Sequence, residues 1–255
     1  MAETTFHSVM ENLENYLLYQ REQGVRRVEV DRATLRALAD SASTASTILS
    51  PTSIPKKPEV QARPASFASL EELASFVSHC SLCPLSGGRT QAVPGEGNAE
   101  APDIMFVGEG PGADEDRTGR PFVGKAGQLL TRMIEAMGYR RDEIFIANIV
   151  KCRPPKNRPP QPAEMAACIP FLQQQIELIQ PKILIALGAT ALKGLLGKNA
   201  GIMRMRGHWQ EYNGIRLMPT FHPAFLLRDP AKKKLVWQDL KQVLHALGKE
   251  PPKRS

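Results

Sequence analysis

One stretch constrains the whole chain: Ile104 to Leu130, IMFVGEGPGADEDRTGRPFVGKAGQLL. Its first four residues, Ile104 to Val107, are uniformly apolar, the pattern of a short buried strand. Gly108-Glu109-Gly110-Pro111-Gly112 follows, a glycine-dense turn that lets backbone N–H groups approach a ligand closely. After an acidic cluster (Asp114, Glu115, Asp116) and a lone aromatic, Phe122, comes a helix. It carries Leu129, Leu130, Met133, Ile134 and Met137 on one side, and Gly138 sits where its stop belongs. Strand, glycine loop and helix, in that order, lay out a ligand site at the carboxyl end of a sheet strand. A bare G-x-G-x-G is weak evidence, and its default reading is a nucleotide-phosphate loop. Two features argue against that reading. The loop is acidic where a phosphate would sit, and it runs on too long before the helix starts. What remains is a pocket for a neutral planar ligand, with Phe122 as a stacking surface.

The rest of the chain supplies the sheet. Ile144 to Val150 reads as a second strand leading into Lys151-Cys152-Arg153-Pro154-Pro155. Met165, Ile169, Leu172, Ile176 and Ile179 recur at three- and four-residue intervals and mark a helix over Ala163 to Ile179. Lys182 to Leu187 is a third buried strand, followed by a short helix over Ala189 to Leu196. Asn213-Gly214 between Trp209–Tyr212 and Ile215–Pro219 is a strong hairpin signal. Phe221 to Arg228 reads as a loop, and Leu235 to Leu247 as the final helix. Strands alternating with helices predict an α/β fold: a three-layer α/β/α arrangement around a mostly parallel central sheet. This domain is expected over residues 67–248, opening with a helix near Ser69 to Val77 and followed by a basic tail, 249–255. Before it, residues 1–40 read as a helical extension, with Val9, Leu13, Tyr16 and Leu17 on one side and Asp31 capping a second helix. Residues 41–66 are rich in Ser, Thr, Ala and Pro and read as a flexible linker.

Charge and cysteines narrow the chemistry. The formal net charge is +7, which favours a polyanionic partner such as DNA, though weakly when taken alone. No apolar run approaches membrane-spanning length, and the N-terminus has no basic start followed by an apolar core, so a cytoplasmic protein with no membrane partner is expected. In such a compartment the four cysteines read as metal ligands, catalytic groups or core residues rather than disulfides. Cys80 and Cys83 have the two-residue gap that lets two thiolates reach one metal centre; Cys152 and Cys168 stand apart. Spacing alone permits zinc, an iron–sulfur cluster, or one CxxC beside two core cysteines. A single CxxC knuckle counts against a zinc ribbon.

The organising stretch resembles the first motif of the family 4 uracil-DNA glycosylases, with Glu109, Gly110, Glu115, Asp116, Gly119, Pro121, Phe122, Gly124 and Gly127 all matching. HPAFLLRDP, His222 to Pro230, is similar to the family's second motif. The resemblance covers roughly Leu70 to Leu247. It implies a monomeric enzyme that hydrolyses the N-glycosidic bond of uracil in single- or double-stranded DNA, starting base excision repair. It also implies that Cys80, Cys83, Cys152 and Cys168 hold a [4Fe–4S] cluster.

The same resemblance assigns roles within the pocket. Gly108, Glu109 and Gly110 line it, Phe122 stacks on the base and Asn148 reads it. Uracil offers a donor at N3 and an acceptor at O4; one side-chain amide meets both and mismatches cytosine. Glu115 falls near C5, where a side chain excludes the thymine methyl. His222 fits the donor to the uracil O2, where negative charge develops as the bond breaks. Gly110 stands where other branches of the superfamily place an Asp or Asn, so the water-handling group falls to Glu109 or Asn157. Leu226 and Leu227 suit a wedge filling the gap left by an extruded nucleotide, with Arg228, Lys151 and Arg153 at the phosphates. A covalent-trapping relative carries a reactive His after the second strand; Lys156 to Pro160 here contains none, so hydrolytic turnover is expected. Two alternatives compete: a glycosylase of broader deaminated-base range, and a DNA-binding or polymerase-associated module that has lost the chemistry.

Overall fold

The computed structural model describes residues 63–197 and 201–252. The expected helical extension and nearly all of the linker lie outside the described residues. The domain opens with α1 (Leu70–His79), where Ser69 Oγ accepts the Glu72 N–H and Glu72 reaches back to the Ala68 N–H. That reciprocal pair satisfies two of the donors a helix start leaves open. Then follow β1 (Glu96–Gly97), β2 (Ile104–Gly108), α2 (Ala113–Thr118), α3 (Lys125–Ala136), β3 (Phe145–Asn148) and α4 (Pro162–Ile179). The second half contains β4 (Ile183–Leu187), α5 (Gly188–Leu196), α6 (Ile202–Met205), β5 (Gln210–Tyr212), β6 (Ile215–Thr220), α7 (Pro223–Arg228) and α8 (Lys233–Ala246).

The six strands form one sheet in the order β1-β3-β2-β4-β6-β5. The central four are parallel, and the short strands β1 and β5 add antiparallel edges. Every residue of β2, β3 and β4 is buried, as expected of parallel strands covered on both faces. Alternation decides which face each side chain serves. Met105, Val107, Ala147, Leu184 and Ala186 pack with Leu73 and Val77 of α1, Leu172 and Ile176 of α4, and Leu192 of α5. Ile104, Phe106, Ile146, Ile183 and Ile185 pack the other way, against Leu130 and Ile134 of α3 and Leu240, Val243 and Leu244 of α8. Each fully buried side chain of this kind contributes about 1.5–3 kcal/mol over leaving it in water. The result is the three-layer α/β/α fold.

The chain runs from β2 to β3 on one side of it, then crosses back to β4 on the other. Loops leaving β2 and β4 therefore diverge, and a crevice opens at the carboxyl ends of the strands. Asn213 and Gly214 turn the β5–β6 hairpin with φ of 49° and 81°, the paired positive values of a type I′ turn.

Two stretches differ from the expected loops. Phe221 to Arg228 is not a loop throughout, because Pro223 opens helix α7 at its first position and His222 caps it. Proline is suited to that position, having no N–H to leave unpaired and a φ already helical. The acidic cluster likewise sits on a helix, α2, which ends at Gly119 in the left-handed conformation, φ 70°.

Candidate active site

A cleft of about 560 Å³ lies over the strand ends, its wall including Glu109, Glu115, Phe122, Asn148, His222 and Arg228. That size suits a small ligand. Three strand exits supply its wall: Glu109 and Gly110 follow β2, Asn148 ends β3, and His222 follows β6.

Phe122 is held in an uncommon conformation, φ 51°, which costs of order 1–3 kcal/mol and persists only where neighbours enforce it. Three do. Glu115 accepts the N–H groups of Val123 and Gly124, both at 2.9 Å, on one carboxylate oxygen and that of Gly112 at 3.1 Å on the other. Arg141 donates to the Pro121 carbonyl and is paired with Glu96 at 3.3 Å. Gly127 passes so close that a Cβ there would lie 1.9 Å from the Phe122 carbonyl carbon and oxygen. The ring itself is buried, 5.5 Å from the His222 ring between centroids.

Asn148 is 1% exposed, and its Oδ1 has no hydrogen-bond partner among the described residues. A buried acceptor without a donor costs about 1–3 kcal/mol, so this amide is arranged for something other than the fold. Gly108 permits the arrangement. A Cβ there would stand 2.3 Å from Asn148 Oδ1 and 2.5 Å from the edge of the Phe122 ring. Gly110 has a related cause: its Cβ would meet Val150 Cγ2 at 2.7 Å.

The His222 ring has its tautomer fixed by the backbone. Nδ1 faces the Ala224 N–H at 3.1 Å and accepts from it, so in the neutral ring the proton sits on Nε2. Desolvation pushes the pKa down to about 4, helped by the Arg228 cation and opposed by the Glu115 carboxylate. At neutral pH the cleft therefore presents an uncharged imidazole with an Nε2–H to donate.

Glu109 Oε2 accepts a hydrogen bond from Thr190 Oγ1, a partner that no local sequence signal identifies. Asn157 is exposed, and its Oδ1 accepts from Arg153 Nε at 2.7 Å. Arg158 also lines the cleft and is bound to the buried Glu164 at 2.6 Å. Arg228 is exposed at the end of α7 and faces the cleft.

Two expectations are corrected. Lys151 does not reach a phosphate: it is 1% exposed, and its Nζ donates to the Asn148 carbonyl at 2.9 Å and to Gln175 Oε1 at 2.5 Å. A cation with two internal acceptors is held inside, and burial lowers its pKa. Leu226 is not half of a wedge. Helical pitch turns it into the core beside α3 and α8, 1% exposed, while Leu227 points outward at 44%. Gln175 carries no motif, although a Gln between Leu172 and Ile176 on an apolar helix face is itself a signal.

On the opposite side of Lys151 lie the cysteines. Cys80, Cys83, Cys152 and Cys168 line one small cavity with Val77, Leu82 and Phe171. Arg89 Nη1 donates to Cys152 Sγ at 2.9 Å, and the Lys151 N–H to Cys168 Sγ at 3.2 Å. Burial pushes the Cys83, Cys152 and Cys168 thiols up. Among the described residues, no three His, Cys, Asp or Glu side chains close around a single bare ion.

Comparison with known proteins adds three findings. The sequence profile described as the Uracil DNA glycosylase superfamily matches residues 94–241. The type-4 uracil-DNA glycosylase of Thermotoga maritima is 47% identical over 188 residues, covering 71% of this chain and 97% of that protein. The enzyme of the same description from Archaeoglobus fulgidus is 37% identical over 192 residues, 72% of this chain and 96% of the relative. A DNA polymerase of Bacillus phage SP01 is also similar, 33% identical over 160 residues, but these are only 17% of that protein.

Proposed function

The chain belongs to the uracil-DNA glycosylase superfamily, and on that premise we propose that it hydrolyses the N-glycosidic bond of uracil in DNA as the opening step of base excision repair. The observation that carries this reading is the partnerless Asn148 Oδ1 beside the Phe122 ring. Uracil supplies the N3–H that this oxygen lacks, an O4 that accepts from the same amide, and a flat face for the phenyl ring. Cytosine has no proton at N3 and a donor where O4 would be, so it leaves the amide mismatched on both atoms.

Bond cleavage builds negative charge on the uracil O2 and positive charge on the deoxyribose. His222 is suited to the first charge: its neutral ring carries the proton on Nε2 and donates without first having to lose one. Glu109 and Asn157 are the candidates for handling water at the sugar carbon. Glu115, near C5 of the bound base in this reading, holds the Phe122 loop and bars the thymine methyl at once. Leu227 and Arg228 meet the strand at the rim, Leu227 filling the space of the extruded nucleotide and Arg228 and Arg153 facing phosphates. Uracil-containing DNA, single- or double-stranded, is the partner, and we read the enzyme as a cytoplasmic monomer. No helix among the described residues is long and apolar enough to cross a membrane.

The residues around the cysteine cavity fit a [4Fe–4S] cluster: the donors are all sulfur, and two of them already accept N–H bonds from Arg89 and Lys151, a common way of tuning such a group. Its contribution here is structural, joining α1, the loop after β3 and α4. One assay tests the function. A uracil-containing oligonucleotide incubated with the protein acquires an alkali-labile site at the uracil. Asn148→Asp shifts the preference toward cytosine, whose amine donates to the new carboxylate. No alkali-labile site with the wild-type protein would overturn the proposal.

A further inference from the structure

Of the two candidates for handling water, the side chains around them favour one. The carbonyl oxygen of Asn157 is already occupied by Arg153 Nε at 2.7 Å. What remains of that neutral amide is too weak a base to take a proton from water, and it carries no charge to set against a developing cation. Glu109 is a carboxylate with two acceptor oxygens, and among the described residues only Oε2 is engaged, by the Thr190 hydroxyl. The neighbouring parallel strands bring this pair together. β2 and β4 run in register up to Val107 opposite Ala186; Glu109 then leaves one strand and Thr190 the other, in the first turn of α5. Gly188, at φ 90°, makes the turn into that helix. Nothing in the sequence links the two residues, 81 positions apart.

We propose that Thr190 is a positioning residue: by holding one oxygen of Glu109 it aims the other at the attacking water. The proposal rests on the glycosylase reading and names the machinery for the attack of water. In that step the water oxygen bonds to the sugar carbon, and the N-glycosidic bond breaks with its electron pair leaving on the uracil. The proton shed by the water passes to the free oxygen of Glu109 and on to solvent. A carboxylate free to rotate would spend most of its time aimed elsewhere, so the hydroxyl acts through orientation rather than by touching substrate.

The test is a double-mutant cycle on single-turnover uracil release, with melting curves to verify folding. Thr190→Val keeps the shape and removes the hydroxyl. It should lower the maximal rate on the order of 10- to 100-fold, as for one hydrogen bond to a charged group, and leave KM unchanged. Thr190→Ser should restore most of the rate. In a Glu109→Gln background, Thr190→Val should cost little more, because the carboxylate it served is gone. A wild-type rate for Thr190→Val, or fully additive losses, overturns the proposal. Should Thr190→Val not fold, a Thr190→Ser protein as slow as Glu109→Gln does so. Wild-type protein that releases no uracil instead overturns the glycosylase reading itself.

Discussion

Replacing Gly108 with alanine tests the pocket where its tolerance is smallest. The new methyl would sit 2.3 Å from Asn148 Oδ1 and 2.5 and 2.7 Å from two atoms of the Phe122 ring. Ordinary contact begins at about 3.4 Å, so Asn148 and the Phe122 ring must each part from the methyl by about 1 Å. Asn148 is buried at the end of a central strand, and Phe122 is fixed by Glu115, Arg141 and Gly127, so neither retreats cheaply. Crowding of this kind costs about 1–3 kcal/mol of stability. Its effect on function is larger. A shift of about 1 Å in a group that positions the reacting base lowers the rate by on the order of 10²-fold. Gly108→Ala should therefore stay folded, melt some degrees lower, and release uracil about two orders of magnitude more slowly in single-turnover assays. The loss should appear in kcat/KM, since the base no longer fits between ring and amide. A folded Gly108→Ala protein with wild-type kinetics would mean that the closeness of Asn148 and Phe122 is not what recognises the base.

Four further outcomes follow from the site. His222→Ala should slow the chemical step by roughly 10²- to 10³-fold while uracil-DNA binding changes little. The wild-type rate should show no limb near pH 6.5 and fall only as pH approaches about 4, where the imidazole finally takes a proton. The unfolded imidazole takes its proton near 6.5, so this residue costs stability progressively as pH falls from about 6.5 toward 4; a rate limb centred near 6.5 would contradict the neutral donor. Protein purified without oxygen exposure should be brown with about four irons per chain, and Cys168→Ala should lose both colour and solubility; a colourless preparation with stoichiometric zinc would rule out the cluster. Arg228→Glu should weaken binding to uracil-containing and normal DNA alike and flatten the dependence on salt, and an unchanged salt slope would remove Arg228 from the phosphate contacts.

Much of the sheet was legible in one dimension because two of its central strands are apolar runs: Ile104 to Val107 and Ile183 to Leu187 read as strands buried on both faces. The helix of Met165 to Ile179 was equally plain from its period. What stayed hidden has a common physical cause, namely partners distant in sequence. Lys151, between a strand and a Cys-Arg pair, reads as a surface cation until Gln175 and the Asn148 carbonyl are seen around it. Leu226 and Leu227 look equivalent until a helix places them about 100° apart, one in the core and one outside. Arg141 carries no motif, yet it holds Pro121 in place. Asn148, by contrast, was conspicuous, since an amide at the end of a buried strand lacks any evident partner from the start.

Lys151 touches both halves of the molecule's chemistry, with its backbone N–H on a cysteine sulfur and its ammonium on the carbonyl of Asn148. Between the thiol cavity and the main chain of the residue proposed to read the base there is thus a single residue. On the proposed reading, a displaced Cys168 would pull on the residue bonded to the main chain of the base reader. A change at the Cys168 sulfur and a change at Asn148 thus meet at one residue, Lys151.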